Sequence, residues 1–169
     1  MKIKVKMLEG MELPKIIDKG DWIDLKAAES VEFKGPYSHP LVGKQRTKRD
    51  VEFSSQLINL GIAMELPKGF EAHVVARSST FKKFGVIQAN AIGIIDESYC
   101  GNNDIWKFSA IAFRDTKINI GDRICQFRIQ PNQFATIWQK LKWLFTSKIE
   151  LIQVDNLEHQ DRNGFGSTN

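Results

Sequence analysis

A short polar segment after a predicted strand carries side chains that bind phosphate groups. The segment is Arg77-Ser78-Ser79-Thr80, and it follows the apolar run that ends at Ala76. A guanidinium forms paired hydrogen bonds with phosphate oxygens, and hydroxyl groups donate to the same oxygens. Because such tetrapeptides are also common in surface loops, this segment alone fits either a phosphate site or an ordinary loop.

A second segment combines a carboxylate with an aromatic ring. It reads Gly93-Ile-Ile-Asp96-Glu-Ser-Tyr99-Cys-Gly101, which predicts a strand, a tight bend and the start of another strand. A carboxylate at a strand end can orient and deprotonate a water molecule, and Tyr99 can offer its ring to a ligand ring. The alternative is a turn-forming aspartate beside a tyrosine that packs in the core.

Two further segments carry donors for an anionic ligand. Gly121–Gln126 predicts a turn that enters a strand, with Arg123 and Gln126 as donors, although an arginine at a turn is more often a surface ion-pair partner. The glycine-rich tail Asp161–Asn169 contains arginine, phenylalanine and hydroxyl side chains. Such a tail either stays disordered or closes over a bound anion.

These segments lie between short apolar or alternating runs. Lys2–Met7 alternates with a period of two, which is typical of a half-buried strand. Glycine, asparagine, aspartate and proline separate the runs, and closely spaced short strands predict an all-β sandwich or barrel. The other predicted strands are Gln56–Glu65, Glu71–Ala76, Gly85–Ile87, Gly93–Ile95, Trp106–Phe113 and Arg123–Ile129.

Two stretches depart from the strand pattern. Lys34–Val51 is polar, basic and rich in turn residues, which favours an exposed loop over an arm that binds nucleic acid. Phe134–Lys148 has apolar residues at helical spacing and predicts an amphipathic helix of about four turns. Trp143 lies off the apolar stripe and is expected to be partly exposed. The stripe consists of Phe134, Ile137, Trp138, Leu141, Leu144 and Phe145.

Length and composition bound the class of protein. A chain of 169 residues with 42% hydrophobic and 26% charged residues suits a single domain, which we place at residues 1–169. The amino-terminal residues lack a hydrophobic signal core, and no apolar run approaches the roughly 20 residues that span a bilayer. We therefore expect a cytoplasmic protein. Its two cysteines, Cys100 and Cys125, are expected to be buried and free.

Taken in order, the polar segments resemble the five motifs of the homotrimeric dUTPases. The first, Asp24-Leu-Lys-Ala27, follows Trp22-Ile23 where the family often has Gly-Tyr. Five motifs in the family's order over nearly the whole chain make a chance match remote. Gly20–Glu29, Phe84–Gln88 and the predicted helix resemble the branch found in Bacillus and in staphylococcal phages. The other four motifs are Arg77-Ser78-Ser79, Asn90–Gly101, Gly121–Gln126 and Arg162–Thr168.

The resemblance implies a distorted jelly-roll β-barrel with one inserted amphipathic helix, assembled as a homotrimer with three active sites at subunit interfaces. It implies hydrolysis of dUTP to dUMP and pyrophosphate with Mg²⁺. By this resemblance Asp96 activates the water that attacks the α-phosphorus, and Tyr99 stacks beneath the deoxyribose and excludes ribonucleotides. Asn90 and the backbone from Gly93 to Gly101 are expected to read the edge of uracil.

The resemblance also implies how the triphosphate is held. Asp24 is expected to hold a water molecule of the magnesium shell without bonding the ion itself. In the tail, Phe165 is expected to cover the uracil while the other polar side chains surround the γ-phosphate. The implied phosphate contacts are Arg77, Ser78, Ser79, Gln126, Arg162, Ser167 and Thr168.

The same sequence leaves two other functions possible. A dCTP deaminase shares the fold, but it needs a glutamate about ten residues after the aspartate, where this chain has Trp106. Staphylococcal phage dUTPases bind repressors of mobile pathogenicity islands, so a repressor is a candidate second partner. The predicted helix, with Trp138 and Trp143, either binds that partner or docks on its own trimer. No membrane contact and no direct nucleic-acid binding is expected.

Overall fold

The computed structural model describes residues 1–16, 20–38, 51–146, 148–162 and 164. These residues form fourteen strands and two helices, which confirms the predicted all-β class. Most of the basic stretch predicted at Lys34–Val51 lies outside the described residues, as do Phe165, Ser167 and Thr168. The elements are β1 (Lys2–Met7), β2 (Ile23–Lys26), β3 (Val31–Phe33), β4 (Tyr37–Ser38), β5 (Val51–Glu52), β6 (Ser55–Asn59), β7 (Ile62–Glu65), β8 (Phe70–Ala76), α1 (Thr80–Phe84), β9 (Val86–Gln88), β10 (Gly93–Asp96), β11 (Lys107–Ala112), β12 (Thr116–Ile118), β13 (Arg123–Pro131), α2 (Ile137–Thr146) and β14 (Glu150–Val154).

A four-stranded antiparallel sheet in the order β10-β8-β13-β2 carries the polar segments. Buried and partly exposed residues alternate along its strands, because successive side chains of a strand point to opposite faces. Ala72 and Val74 are buried, whereas Glu71 and His73 between them face outward and are only partly covered. The outward face therefore holds the polar residues of all four strands.

Four other sheets complete the barrel among the described residues. β14, β1 and β7 form one, with β1 and β14 parallel, and β6, β11 and β9 form a second. The pairs β12–β3 and β4–β5 are two-stranded. The parallel pairing, with Lys2 opposite Glu150, fastens the carboxyl-terminal segment to the first strand of the chain.

Large aromatic side chains fill the core. Trp106, Phe108 and Phe127 are fully buried, and the rings of Trp106 and Phe127 meet edge to face at 5.3 Å between centroids. Edge-to-face contact is a favoured arrangement of aromatic rings. Cys100 and Cys125 are buried free thiols, as predicted, and burial raises the pKa of Cys125.

The prediction of one strand over Gln56–Glu65 is wrong, because a turn divides it into β6 and β7. Gly61 at this turn has φ of 70°, a left-handed conformation that glycine adopts without the strain of a Cβ atom. A Cβ at this position would also lie 2.7 Å from the Met11 side chain. The glycine within the apolar run marks this turn.

Helix α2 lies within the predicted range but docks by an unexpected side chain. Trp143 is half-buried, and its ring lies 5.4 Å from that of Phe70 between centroids. The apolar stripe instead faces outward, with Phe134 and Phe145 each 80% and Trp138 77% exposed. No helix in the described part of the chain is long and apolar enough to cross a membrane.

Candidate active site

Asp96 ends β10 and lies on the outward face of the four-stranded sheet, opposite Glu71 of β8. Its side chain is 45% exposed, and it accepts hydrogen bonds from the Ser98 backbone at 2.9 Å, from the Ser98 hydroxyl and from the Arg162 guanidinium. Burial works to raise the pKa of Asp96, but the bonds from Ser98 and Arg162 outweigh it and hold the pKa below its ordinary value. The carboxylate is therefore ionised at neutral pH.

Tyr99 forms a fixed surface beside this carboxylate. The side chain is 8% exposed, and its hydroxyl donates to the Ile105 carbonyl at 3.1 Å. Gly164 lies against the ring, since a Cβ on that glycine would be 2.9 Å from Cε2 of Tyr99. Burial, with Asp104 and Asp161 adding to it, raises the pKa of Tyr99, so the phenol stays neutral.

A cleft of about 530 Å³ opens next to the carboxylate. Its wall contains Phe134, which comes just before α2, so the inserted segment borders the candidate base. The lining residues are Glu71, Asp96, Glu97, Ser98, Asn132, Gln133 and Phe134.

The turn between β9 and β10 holds Asn90 and Gly93 near one another. Asn90 is exposed in the turn, and Ala91 has φ of 56°, which is uncommon for a residue with a side chain. Gln88, which the sequence did not single out, is buried and donates its amide to the Val74 carbonyl at 3.0 Å. Gly93 packs on that amide, because a Cβ there would lie 3.3 Å from Gln88 Nε2.

A second polar cluster lies at the opposite corner of the same sheet. Asp24 Oδ1 accepts from Nε of Arg77 at 2.7 Å, and Asp24 Oδ2 accepts from Nη1 of Arg123 at 3.1 Å. Gln126 pairs with Asp24 across β2 and β13, and directly opposite residues of such a pair share one face. A cavity of about 360 Å³ opens beside Asp24 and Arg123.

The two predicted serines follow Arg77 at the start of α1. Ser78 and Ser79 are both exposed, and Arg77 donates to the Ser79 hydroxyl at 3.4 Å. Ser79 is the N-cap residue of α1, but its side chain makes no capping hydrogen bond. Both hydroxyls are therefore open to a ligand.

The two clusters are far apart within one chain. Asp96 lies opposite Glu71 near the start of β8, whereas Arg77 follows the last residue of β8. The six residue steps from 71 to 77 correspond to roughly 20 Å of extended chain. One chain thus brings Asp96, Tyr99 and Arg162 together, and Asp24, Arg77 and Gln126 together, but not the two groups with each other.

Asp104 is a further residue of the first cluster that the sequence did not single out. It is fully buried, and its Oδ2 accepts from the Gly101 backbone at 2.8 Å and from the Arg162 backbone at 2.9 Å. The run Gly101-Asn-Asn-Asp104 predicts only a turn. Its place five residues after Tyr99 is the one local sign of a role beside the site.

A β-barrel with an ionised carboxylate beside a packed tyrosine, and an arginine cluster with exposed serines, defines a candidate nucleotide phosphohydrolase of the jelly-roll class. The dUTPase family model matches residues 45–168. A Bacillus subtilis (strain 168) protein, the SPbeta prophage-derived deoxyuridine 5'-triphosphate nucleotidohydrolase, is 49% identical over 169 residues, covering 99% of this chain and 98% of the relative. The chain belongs to the dUTPase family and is a dUTP nucleotidohydrolase.

Solved structures show the same fold at low sequence identity. The dUTPase of Streptococcus mutans has a TM-score of 0.61 at 20% identity, with 78% of this chain and 98% of that chain covered. The dUTPase of phage phi11 of S. aureus, which carries a species-specific insert, has a TM-score of 0.61 at 17% identity, with 80% and 93% covered. The dUTPase of Staphylococcus bacteriophage 80alpha, one of the phage dUTPases that control transfer of virulence genes, has a TM-score of 0.60 at 16% identity, with 80% and 93% covered. These similarities confirm the jelly-roll fold.

Proposed function

We propose that Asp96 is the general base that activates water for attack on the α-phosphorus of dUTP, releasing dUMP and pyrophosphate. The observation that carries this assignment is a half-exposed carboxylate with a lowered pKa at the edge of a cleft. An ionised carboxylate within reach of water can accept its proton during the attack. Arg162 donates to one oxygen of this carboxylate, which places a guanidinium that can also bind phosphate oxygens beside the proposed base.

The hairpin that carries Asp96 is proposed to select the nucleoside. The ring of Tyr99 is buried and its hydroxyl is bonded to the Ile105 carbonyl, and we assign this fixed ring to stack beneath the deoxyribose and to exclude a 2′-hydroxyl. The turn with Asn90 and Gly93 offers amide and backbone groups to the edge of uracil. The Gln88 amide ties the start of this turn to the Val74 carbonyl of β8. We therefore propose that the hairpin is rigid enough to discriminate between nucleosides by their shape.

The second cluster is proposed to bind the triphosphate. Arg77 supplies a planar fork of donors for phosphate oxygens, and the exposed hydroxyls of Ser78 and Ser79 lie beside it. Gln126 lies on the same face as Asp24 and adds an amide donor. The bonds from Arg77 and Arg123 to Asp24 hold the three side chains of this cluster together.

The residues at Asp24 fit a magnesium–triphosphate complex held through water. Each Asp24 oxygen accepts one bond from an arginine, and a carboxylate oxygen can accept two, so the side chain can also accept from a magnesium-bound water. A bound Mg²⁺ would neutralise charge on the three phosphates. Asp24 would then orient that water and keep the phosphate chain in register with Arg77.

The tail is proposed to complete the site. Arg162 is already beside Asp96, and it lies three residues before Phe165 and close to Ser167 and Thr168 in sequence. We assign Phe165 to cover the uracil, and Arg162, Ser167 and Thr168 to bind the γ-phosphate. Closure of this segment would exclude water after substrate has bound.

The enzyme is proposed to act as a homotrimer whose sites lie between chains. The support is the roughly 20 Å of strand that separates the Asp96 end of β8 from the Arg77 end in a single chain. In a closed ring, the base end of one copy can meet the phosphate end of the next. Light scattering on the purified enzyme should give the mass of three chains of 19.3 kDa, and a monomer with full activity would exclude this assembly.

A product assay tests the reaction itself. With dUTP we expect dUMP and pyrophosphate, whereas a deaminase would release ammonia and a uracil nucleotide from dCTP. Trp106, at the position of the deaminase glutamate, is fully buried against Phe127 and has no carboxylate to offer. Ammonia release from dCTP at a rate comparable with dUTP hydrolysis would contradict the assignment.

A second function is proposed for the outward face of α2. A helix that exposes Trp138, Phe145 and Leu144 to 77%, 80% and 72% presents an apolar surface of the kind that marks protein contacts. The phage 80alpha relative controls transfer of virulence genes, and we propose that this surface binds the repressor of a mobile pathogenicity island. Trp143 packs on Phe70 and is half-buried, so in this proposal it contributes less surface to the contact than Trp138.

Titration calorimetry with a purified pathogenicity-island repressor tests this second function. Trp138→Ala and Phe145→Ala together should weaken binding at least tenfold and leave dUTP hydrolysis unchanged. Lys140→Ala, an exposed substitution on the same helix, is the matched control and should leave both unchanged. Unaltered repressor affinity in the double variant would remove α2 from the interface.

A further inference from the structure

The connection between β7 and β8 lies next to the strand end that carries the proposed base. It consists of residues 66–69, which we call the β7–β8 turn. Gly69 in this turn is buried and has φ of 85°, a left-handed conformation that glycine adopts without strain. β8 begins at Phe70, and the next residue, Glu71, is paired with Asp96. The β7–β8 turn therefore comes two residues before the partner of the base.

Glu97 joins the bend after β10 to this turn. It directly follows Asp96 and is partly buried, and its Oε2 accepts the backbone N–H of Gly69. A hydrogen bond to a carboxylate is stronger than one between neutral groups. The Ser98 N–H that donates to Asp96 at 2.9 Å belongs to the peptide group that joins Glu97 to Ser98. A displacement of Glu97 would therefore move a hydrogen-bond donor of the proposed base.

Gln139 of α2 binds the same turn. Its Nε2 donates to the Lys68 carbonyl at 2.7 Å, and a Cβ on Gly69 would lie 2.8 Å from this nitrogen. Its Oε1 accepts the backbone N–H of Thr136 at 2.7 Å, and its own N–H donates to the Thr136 hydroxyl at 3.2 Å. Such a reciprocal pair is a capping box. One side chain therefore both caps the start of α2 and attaches the helix to the β7–β8 turn.

Two further contacts connect the segment around α2 to the turn and to the strand that follows it. The backbone N–H of Asn132 donates to the Gly69 carbonyl at 2.9 Å, and Trp143 packs on Phe70 with 5.4 Å between ring centroids. The peptide groups of Gly69 are thus bonded to Glu97 through the N–H and to Asn132 through the carbonyl. Helix α2 and the bend that carries Asp96 are therefore held by one and the same turn.

We propose that Glu97 is a positioning residue for Asp96, and that the β7–β8 turn, held by Gln139 of α2, sets where Glu97 lies. This inference deepens the proposed function, because it rests on Asp96 as the general base. A misplacement of about 1 Å at a reacting group can lower the rate by up to about 10²-fold. The expected defect of a displaced Glu97 is therefore in turnover and not in nucleotide binding.

Two substitutions at Glu97 test the positioning role. Glu97→Ala removes the acceptor of the Gly69 N–H and should lower kcat for dUTP roughly tenfold, while KM and the affinity for a non-hydrolysable dUTP analogue stay within a few-fold. Glu97→Gln keeps an oxygen that can accept this N–H and should restore most of the lost turnover. Steady-state kinetics with detection of pyrophosphate measures kcat and KM, and titration calorimetry measures the analogue.

Three results at Glu97 would overturn the inference. They are a parent-like kcat in Glu97→Ala, a Glu97→Gln variant as slow as Glu97→Ala, and a loss of analogue affinity as large as the loss of kcat. The second would mean that the charge of Glu97 matters and not its bond to the turn. The third would mean that Glu97 shapes the binding site as a whole.

A double-mutant cycle tests the contribution of α2. Gln139→Ala removes the bond to the turn and should lower kcat by less than Glu97→Ala does. Because both side chains act through the same turn, the two substitutions together should cost much less than the product of their separate effects. Thr136→Ala, which removes half of the capping box but leaves the bond from Gln139 to Lys68, is the matched control and should keep the parent kcat. Fully multiplicative losses, or an equal loss in the Thr136 variant, would overturn the role of α2.

The Asp96→Asn variant separates failure of this inference from failure of the proposed function. If Asp96→Asn keeps the turnover of the parent enzyme, Asp96 is not the base, and the proposed function and the inference both fail. If Asp96→Asn loses turnover but Glu97→Ala does not, the proposed function stands and the inference alone is overturned.

Discussion

The two ends of the four-stranded sheet differ in how deeply their polar side chains are buried. At the base end, Tyr99 and Asp104 are buried, and the tail is bonded to the loop that carries them. At the phosphate end, Arg77 and Arg123 are held on the surface by one carboxylate, and the neighbouring serines are exposed. The end that carries the proposed base is held by buried hydrogen bonds within one chain, whereas the proposed phosphate end presents exposed donors.

This difference separates selection of the nucleoside, proposed at one end of the sheet, from binding of the charged triphosphate, proposed at the other. Shape selection of a nucleoside needs rigid walls, which buried side chains and satisfied hydrogen bonds provide. Binding of a triphosphate needs many donors, and the Asp24 carboxylate orients two guanidinium groups that we propose to bind it. Substitutions at the two ends should therefore affect different kinetic constants.

The largest effect is expected at the base. Asp96→Asn should lower kcat about 10³-fold, since general-base catalysis contributes on this scale, while KM for dUTP and the affinity for a non-hydrolysable analogue stay within a few-fold. Stopped-flow assay of proton release measures the turnover. Asp155→Asn should behave as the parent enzyme, and turnover of the Asp96 variant within tenfold of the parent would rule out its role as base.

At the phosphate end, the expected change is in binding. Arg77→Ala should raise KM for dUTP about tenfold or more, because a charged hydrogen bond of this kind is worth about 1.5–3 kcal/mol. Arg123→Ala should have a smaller effect, since its side chain is 58% exposed against 24% for Arg77. Equal effects of the two substitutions in titration calorimetry with the analogue would contradict the special position of Arg77.

The pH dependence of kcat/KM should also distinguish the Asp96 end of the sheet from the Arg77 end. Hydrogen bonds from Ser98 and Arg162 lower the pKa of Asp96 against the opposing effect of burial, so the carboxylate stays ionised to lower pH. Arg162→Gln should raise this pKa and move the acid limb of the kcat/KM profile to higher pH. Ionised Asp96 likewise stabilises the folded protein at pH values above the pKa that this carboxyl has in the unfolded chain. This stabilisation is lost as the pH falls through the lower pKa of Asp96 in the folded protein. Arg123→Gln removes the same charge at the other end and should leave the acid limb in place.

The smallest effect concerns stability at α2. Trp143→Ala should reduce the free energy of unfolding by about 1–2 kcal/mol, because half of a large side chain loses its contact with Phe70. Trp138→Ala, on the exposed stripe, should change it by no more than about 0.5 kcal/mol. Chemical denaturation measures both, and the reverse order would mean that the helix docks by its apolar stripe.

Residues within one motif were predictable because their chemistry is local. The run from Gly93 to Gly101 predicts a strand end, a bend and a ring in sequence, and β10 ends at Asp96 with Tyr99 packed just beyond it. The short runs likewise predict an all-β fold. Where a glycine broke a run, as at Gly61, one predicted strand became two.

Long-range pairing was not predictable in this way. Asp104 binds a backbone group 58 residues away, and nothing in a Gly-Asn-Asn-Asp turn indicates which segment it will meet. The helical spacing at α2 shows which face is apolar but not which face touches the barrel, since Trp143 and Gln139, which lie off the apolar stripe, make contacts with it. Likewise, ordered motifs do not reveal that their two groups lie at opposite ends of β8.

The most direct test of a site divided between chains is a crystal structure with a non-hydrolysable dUTP analogue and magnesium. We expect a trimer in which one nucleotide contacts Asp96 and Tyr99 of one chain, and Arg77 and Gln126 of its neighbour. A nucleotide held by Asp96 and Arg77 of the same chain would contradict it.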